Sequence, residues 1–152
     1  MGSSSIIVRV YGVYIHSQSG VLVSDELVFG QRITKFPGGG LEFGEGTREC
    51  LQREMLEETG QEFSVLEHLY TTDFFVPSAF DTTRQVISVY YNIEPVEPLR
   101  IPVAETPFEF KENEAQSFRF VPLDQLSIDS FSLIIDQHVS NLLLLRAKLL
   151  HQ

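Results

Sequence analysis

Tryptophan is absent, cysteine occurs once, methionine twice, and 11 Lys and Arg stand against 21 Asp and Glu. Each shortage closes off a class of protein. With Cys50 as the single cysteine, no intramolecular disulfide can form, and a reducing interior suits the chain. The four histidines, His16, His68, His138 and His151, are dispersed without zinc spacing. Neither His16 nor His68 stands in a motif with Cys50, which argues against a cysteine nucleophile and leaves the thiol to packing. A net charge of -10 with no basic run argues against a nucleic-acid polymer as partner. Long uncharged apolar runs are missing too. The leucine-rich tail, Phe131 to Leu150, is broken by Asp136, Gln137, His138, Asn141, Arg146 and Lys148, so no membrane span is expected. Met1 to Ser5 lacks the charged start and apolar stretch of a signal peptide and reads as a disordered start or tag remnant, with cytoplasmic location expected.

What is present suits one soluble α/β domain over 1–152. The chain is 43% apolar and its mean hydropathy is +0.01. Ile6–His16 and Val21–Phe29 are rich in β-branched and aromatic residues across a Ser-Gln-Ser-Gly turn, which predicts a hairpin leading into a glycine loop, Pro37–Gly40. Strands are expected at Phe63–Phe75 and Gln85–Ile93, the latter apolar on both faces as in a sheet covered on two sides. The proline-spaced stretch Glu94–Pro107 reads as an irregular connection, Ser117–Val121 as a short strand, and Pro122–Leu126 as a helical turn. The tail from Phe131 reads as a core helix whose apolar excess can also feed a homodimer contact.

The densest signal lies between Gly39 and Gln61. Thr47 to Thr59 holds no proline or glycine and is rich in good helix formers, with Gly60 where a left-handed cap is wanted. On that helix Glu54, Glu57 and Glu58 fall at i, i+3 and i+4 and share one face, beside an apolar stripe of Leu51 and Met55. A solvated acidic face is the plain alternative. Against it stand the glycine loop just upstream and Arg53, the single cation in the helix body beyond its first turn, for which Glu45 is a plausible partner. Clustered carboxylates without histidine or cysteine favour a hard cation, Mg2+ or Mn2+, bound through oxygen and shared with phosphate oxygens. Such an ion would polarise a P-O-P bridge and activate water, so the chemistry indicated is hydrolysis of a diphosphate linkage.

The run GGLEFGEGTRECLQREMLEETGQ, with Gly39, Glu45 and Arg53-Glu54-Met55-Leu56-Glu57-Glu58-Thr59-Gly60 at fixed offsets, resembles the signature of the Nudix hydrolases. It departs from that signature only at Gln61, where the family usually has an aliphatic residue and where Phe63 could serve the packing instead. The resemblance implies the Nudix fold, a mixed β-sheet sandwiched between helices, and a small-molecule diphosphate as partner. It implies metal ligation by Glu54, Glu57 and Glu58, with Glu54 either ligand or water-activating base. Gly39 is implied as a backbone ligand, and Glu45, Arg53 and Gly60 as structural parts of the box. A later-loop carboxylate often completes such sites. Here Glu112 and Glu114 qualify, Glu114 slightly ahead, an acidic surface loop being the equal alternative.

Substrate choice is the least legible part. Pro77, 16 residues past Gln61, resembles the spacing of ADP-ribose-type members. Phe74, Phe75, Phe80 and Tyr90 could stack on a base, though 12 phenylalanines in one small chain are mostly core. Arg32, Lys35 and Arg84 could pair with phosphates. The expectation is a nucleoside diphosphate joined to another moiety, such as ADP-ribose or another sugar nucleotide, ahead of a nucleoside triphosphate. A Nudix-fold binding or regulatory module is the second reading, disfavoured by the full set of box glutamates. Isomerisation of an allylic diphosphate is the third, and it needs a cysteine outside the box.

Overall fold

The computed structural model describes residues 5–150, which form two compact units, 5–14 with 37–100 and 15–36 with 101–150. Residues 1–4 and 151–152 lie outside the described residues. Of the segment expected to be disordered or a tag, Ser5 proves to be the first residue of a strand.

The first unit is a mixed four-stranded sheet with one helix. Its strands are β1 (Ser5–Val13), β5 (Gly38–Gly40), β6 (Phe63–Thr71) and β7 (Arg84–Pro95), in the order β5-β1-β7-β6. β1 runs parallel to β7, from Ser5 opposite Arg84 to Val13 opposite Asn92, while β5 and β6 are antiparallel to their neighbours. Alternation along β1 sends Val8 and Val10 toward helix α1 (Thr47–Thr59), where Cys50, Leu51 and Met55 meet Phe63, Val89, Tyr91 and Ile93 in one buried cluster. Tyr11, Ser88 and Tyr90, on the other face, are buried as well, in line with the two-sided pattern of β7. The expected 47–59 helix is met at both ends, and Gly60 caps it in the left-handed conformation (φ 72°), its N–H donating to the Leu56 carbonyl at 2.8 Å.

The second unit is antiparallel. β3 (Gly20–Val28) pairs with β2 (Ile15–His16) and β4 (Gln31–Lys35) and also with β8 (Gln116–Val121). The expected hairpin is met only next to its turn, where Ile15–His16 pairs with Gly20–Val21; the rest of the first run, Ser5–Val13, pairs with β5 and β7 instead. Helix α2 (Ile134–Leu150) follows a single 3-10 turn, Ile128–Ser130.

Four expectations need correction. Gly38–Gly40 is an edge strand and not a loop, because its backbone pairs with Arg9–Tyr11 despite carrying no side chains. No element was expected over Gln31–Lys35, which forms β4. The strand from Phe63 ends at Thr71, after which 72–78 folds along the start of β7, with Thr72 N–H to Ser88 O at 3.0 Å, Val86 N–H to Val76 O at 2.9 Å and Ser78 N–H to Arg84 O at 2.8 Å. The last helix starts at Ile134, since Phe131 instead stacks on Phe36 with ring centres 4.3 Å apart. Only its first half is core: Ile135 and Val139 are buried, whereas Leu145, Leu149 and Leu150 are half to mostly exposed. Among the described residues no helix is long and apolar enough to cross a membrane.

Candidate metal and substrate site

The site is built around Arg53. Its guanidinium grips Glu45 with two hydrogen bonds, Nε to Oε2 at 3.0 Å and Nη2 to Oε1 at 2.7 Å, and Nη2 also reaches the Gly40 carbonyl at 3.1 Å. Nη1 then donates to Glu54 Oε1 at 3.0 Å and to Glu57 Oε2 at 3.3 Å. One side chain thus ties the glycine strand, the 41–46 loop and the helix together. The hydrogen bond from Arg53, helped by the Glu42 N–H at 2.9 Å, lowers the Glu45 pKa from 4.5 to about 2, and the same pairing raises that of Arg53. Glu45 and Arg53 are both charged at any physiological pH.

Gly39 and Glu54 meet directly. A Cβ on Gly39 would lie 2.5 Å from both Glu54 carboxylate oxygens, so only glycine leaves room for that side chain. Glu58, which is held by other interactions, keeps one oxygen, Oε2, buried without a hydrogen bond. Among the described residues no three Asp, Glu, His or Cys side chains gather as a finished ligand set. The turning of Glu54 and Glu57 to Arg53 accounts for this in part. The donors nevertheless suit a hard divalent cation: they are carboxylates beside a bare backbone strand, and no soft ligand competes. Cys50, whose Sγ donates to the Gly40 carbonyl at 3.5 Å, is pushed up to about 12 by burial and then by the Glu45 carboxylate, so it stays a neutral thiol.

The remaining sequence-derived candidates are spread over both units. Phe75, Pro77 and Arg84 belong to the first unit, on and after the 72–78 ribbon. Phe75 is largely exposed, Pro77 bridges to Gln85, and half-exposed Arg84 faces Asp81 at 3.5 Å. Arg32, Lys35, Glu112 and Glu114 belong to the second. The Arg32 guanidinium lies 5.6 Å from the Phe108 ring centre, whereas Lys35 is buried in an ion pair with Glu26 at 2.9 Å, which occupies its ammonium. Glu112 and Glu114 are exposed on a turn closed by Glu114 N–H to Lys111 O at 3.0 Å.

Two charged groups escaped the sequence reading. Asp25, fully buried in β3, accepts hydrogen bonds from Arg119 at 2.6 and 3.2 Å, Thr34 Oγ1 at 2.6 Å and the Phe108 N–H at 3.3 Å. Arg9, in β1, donates from Nε to the Tyr11 hydroxyl at 2.6 Å. The available signal was a charge inside a largely apolar strand, alone in β1 and next to Glu26 in β3.

A family model described as the NUDIX domain matches residues 7–142. No curated protein matches the chain. Among solved structures, a MutT protein from Methanosarcina mazei Go1 aligns at 17% identity and TM-score 0.63, covering 93% of this chain and 94% of its own. A UDP-X diphosphatase aligns at 17% identity and TM-score 0.61 over 92% of this chain and 63% of that one. A NUDIX hydrolase from Nitrosomonas europaea aligns at 17% identity and TM-score 0.57, over 88% and 84%. At these identities the likeness is one of fold.

Proposed function

The chain belongs to the Nudix family, and from that premise we propose that it is a divalent-metal-dependent pyrophosphohydrolase acting on a nucleoside diphosphate joined to another moiety, such as ADP-ribose or another sugar nucleotide. The observation that carries the reading is the meeting of the glycine strand and the helix. Arg53 draws Glu54 and Glu57 toward Gly40, and Glu54 fills the space beside Gly39. Glu54, Glu57 and Glu58 would hold the ion, Mg2+ or Mn2+, with backbone oxygen from the Gly39 strand beside them. When bound, the ion supplies a polarised P-O-P bridge and a more acidic water. Glu54 would take the proton of the attacking water, with Glu114 and Glu112, which lie in the second unit, the other candidates for that role. Arg53 and Glu45 hold the carboxylates in place and carry no proton, since both are locked in their charged forms.

Phe75, Pro77 and Arg84 on the folded ribbon, together with Arg32, remain the candidates for substrate contact. Lys35 is the weakest, because reaching a phosphate would break its buried pair with Glu26. A reducing, cytoplasmic setting suits the single buried thiol.

A second reading, a catalytically weak nucleotide-binding module, is favoured by one observation: Arg53 engages Glu54 and Glu57, and among the described residues no three ligands are gathered. Incubation with Mg2+ or Mn2+ and a panel of sugar nucleotides, dinucleoside polyphosphates and nucleoside triphosphates, with products identified by mass, separates the two. The hydrolase reading expects diphosphate cleavage that EDTA abolishes and Glu57→Gln lowers by at least about a hundredfold, or about 2.7 kcal/mol in the barrier. No cleavage of any member, with nucleotide binding unaltered in Glu57→Gln, would establish the module instead. Heavy-oxygen water would identify the phosphorus attacked.

A further inference from the structure

The backbone of Phe108 is left-handed, φ 59°, a conformation that a bulky side chain adopts only against a steric cost. The second unit holds it there through a buried charge. The Phe108 N–H donates at 3.3 Å to Asp25 Oδ2, and Asp25, fully buried in β3, is itself gripped by Arg119 from β8 at 2.6 and 3.2 Å and by the Thr34 hydroxyl from β4 at 2.6 Å. The segment that carries Phe108 is tied at both ends as well, Ala104 N–H to Phe118 O at 2.7 Å and Leu27 N–H to Ala115 O at 2.9 Å. Phe110 closes on it, with N–H to Phe108 O at 3.0 Å and ring centres 6.1 Å apart. A connection that only had to reach β8 would take glycine or asparagine at that backbone, so the ring of Phe108 has a use of its own.

What the buried charge fixes is the place of that ring. Asp25 stands opposite Thr34, and Arg32, two residues earlier on β4, shares the face of Thr34. There the Phe108 ring meets the Arg32 guanidinium, whose Cζ lies 5.6 Å from the ring centre. Arg32 is exposed and Phe108 half-buried, so the pair presents a cation seated over an aromatic ring at the surface. Charge and shape then select the ligand. The segment 105–114 carries Glu105, Glu109, Glu112 and Glu114 against Lys111 alone, which makes it a poor place for a phosphate. A flat, neutral base is favoured instead: it stacks on guanidinium and aromatic ring alike, and its exocyclic amino groups suit an acidic loop.

We propose that Arg32 and Phe108 form a nucleobase-binding site, the base of a nucleotide stacking on the paired guanidinium and ring. The proposal rests on the hydrolase reading for nucleotides as its ligands and concerns the second unit alone.

Saturation-transfer NMR on the metal-free protein, with adenosine, guanosine and uridine and with ribose phosphate as the base-free control, tests this without turnover. At least one nucleoside is expected to show transfer to its base protons, falling roughly fivefold or more in Arg32→Ala and in Phe108→Asn, the low end of a base-stacking contact. Asparagine tolerates the left-handed backbone while removing the ring, so the second variant keeps the fold. Arg32→Lys, which keeps the charge and loses the plane, should recover little of the signal. Ribose phosphate should show no dependence on Arg32. Equal nucleoside signals in the parent and either of the first two variants, all folded by circular dichroism, overturn the proposal even if the parent cleaves sugar nucleotides, and so does the absence of any nucleoside signal in the parent. Full recovery in Arg32→Lys, or an Arg32-dependent signal from ribose phosphate, overturns it in favour of a phosphate contact. Nucleoside binding that depends on both residues in a protein that cleaves nothing sustains it while the hydrolase reading fails.

Discussion

Single atoms decide how the carboxylates stand. Gly39 has no left-handed backbone to protect, so replacing it by alanine imposes little strain of its own. The added methyl instead displaces the Glu54 carboxylate, whose oxygens lie 2.5 Å from the new atom. Gly39→Ala is therefore expected to lower metal-dependent turnover at least about tenfold, or about 1.4 kcal/mol in the barrier, with the urea midpoint nearly unmoved. Unchanged turnover would mean that Glu54 is not needed where it stands. Glu45 makes a separate prediction through pH. Its pKa falls from 4.5 to about 2 because Arg53, and then the Glu42 N–H, hydrogen-bond its ionised form. A lowered folded-state pKa contributes stability that is complete above about pH 4.5 and is lost as pH drops through about 2. Urea midpoints of the parent should thus fall across that window more steeply than those of Glu45→Gln, which has no proton to take up. Parallel curves for the two proteins would refute the pairing.

Elements differ in how far their own residues define them. Helix α1 could be read to its last residue because no glycine or proline interrupts 47–59 and Gly60 supplies the cap. β5 could not, since three glycines argue against a strand on propensity and only the distant Arg9–Tyr11 segment makes them one. β4 was hidden for a like reason: it is short, begins with exposed Gln31 and Arg32, and is defined by its pairing with β3. In the site, the family spacing placed Glu54, Glu57 and Glu58 on one face. The contact of Glu54 with Gly39 is made across the loop and depends on the folded geometry, whereas the sharing of Arg53 Nη1 between Glu54 and Glu57 stays within the helix, Glu57 standing at i+4. Gln61 illustrates the limit of the family pattern. Phe63 fills the apolar space, as expected, while the Gln61 amide turns to the 96–100 connection, donating to Pro98 O at 3.2 Å and accepting from Arg100 N–H at 2.6 Å. Gln61→Ala should cost about 2 kcal/mol from two hydrogen bonds of about 1 kcal/mol each, and should speed hydrogen exchange at the Arg100 amide. Exchange unchanged at Arg100 would show that the amide does not hold that segment.

At the scale of the molecule, the chain passes between its two units after Tyr14, Phe36 and Arg100, so neither unit is a continuous segment that can be cut out. Its charge, -10 over 152 residues, also belongs to no single element. A phosphorylated substrate approaches a surface that repels it at long range, and only bound cations and fixed guanidinium groups reverse the sign locally. Screening then acts in an unusual direction. Raising monovalent salt from about 10 mM to about 150 mM shortens the Debye length from about 30 Å to about 8 Å, which weakens the distant repulsion while leaving short contacts largely intact. With Mg2+ kept saturating, kcat/KM for ADP-ribose should rise over that interval, the gain appearing in KM. A steep fall would mean that local positive potential around the glycine strand, and not the net charge, dominates the approach.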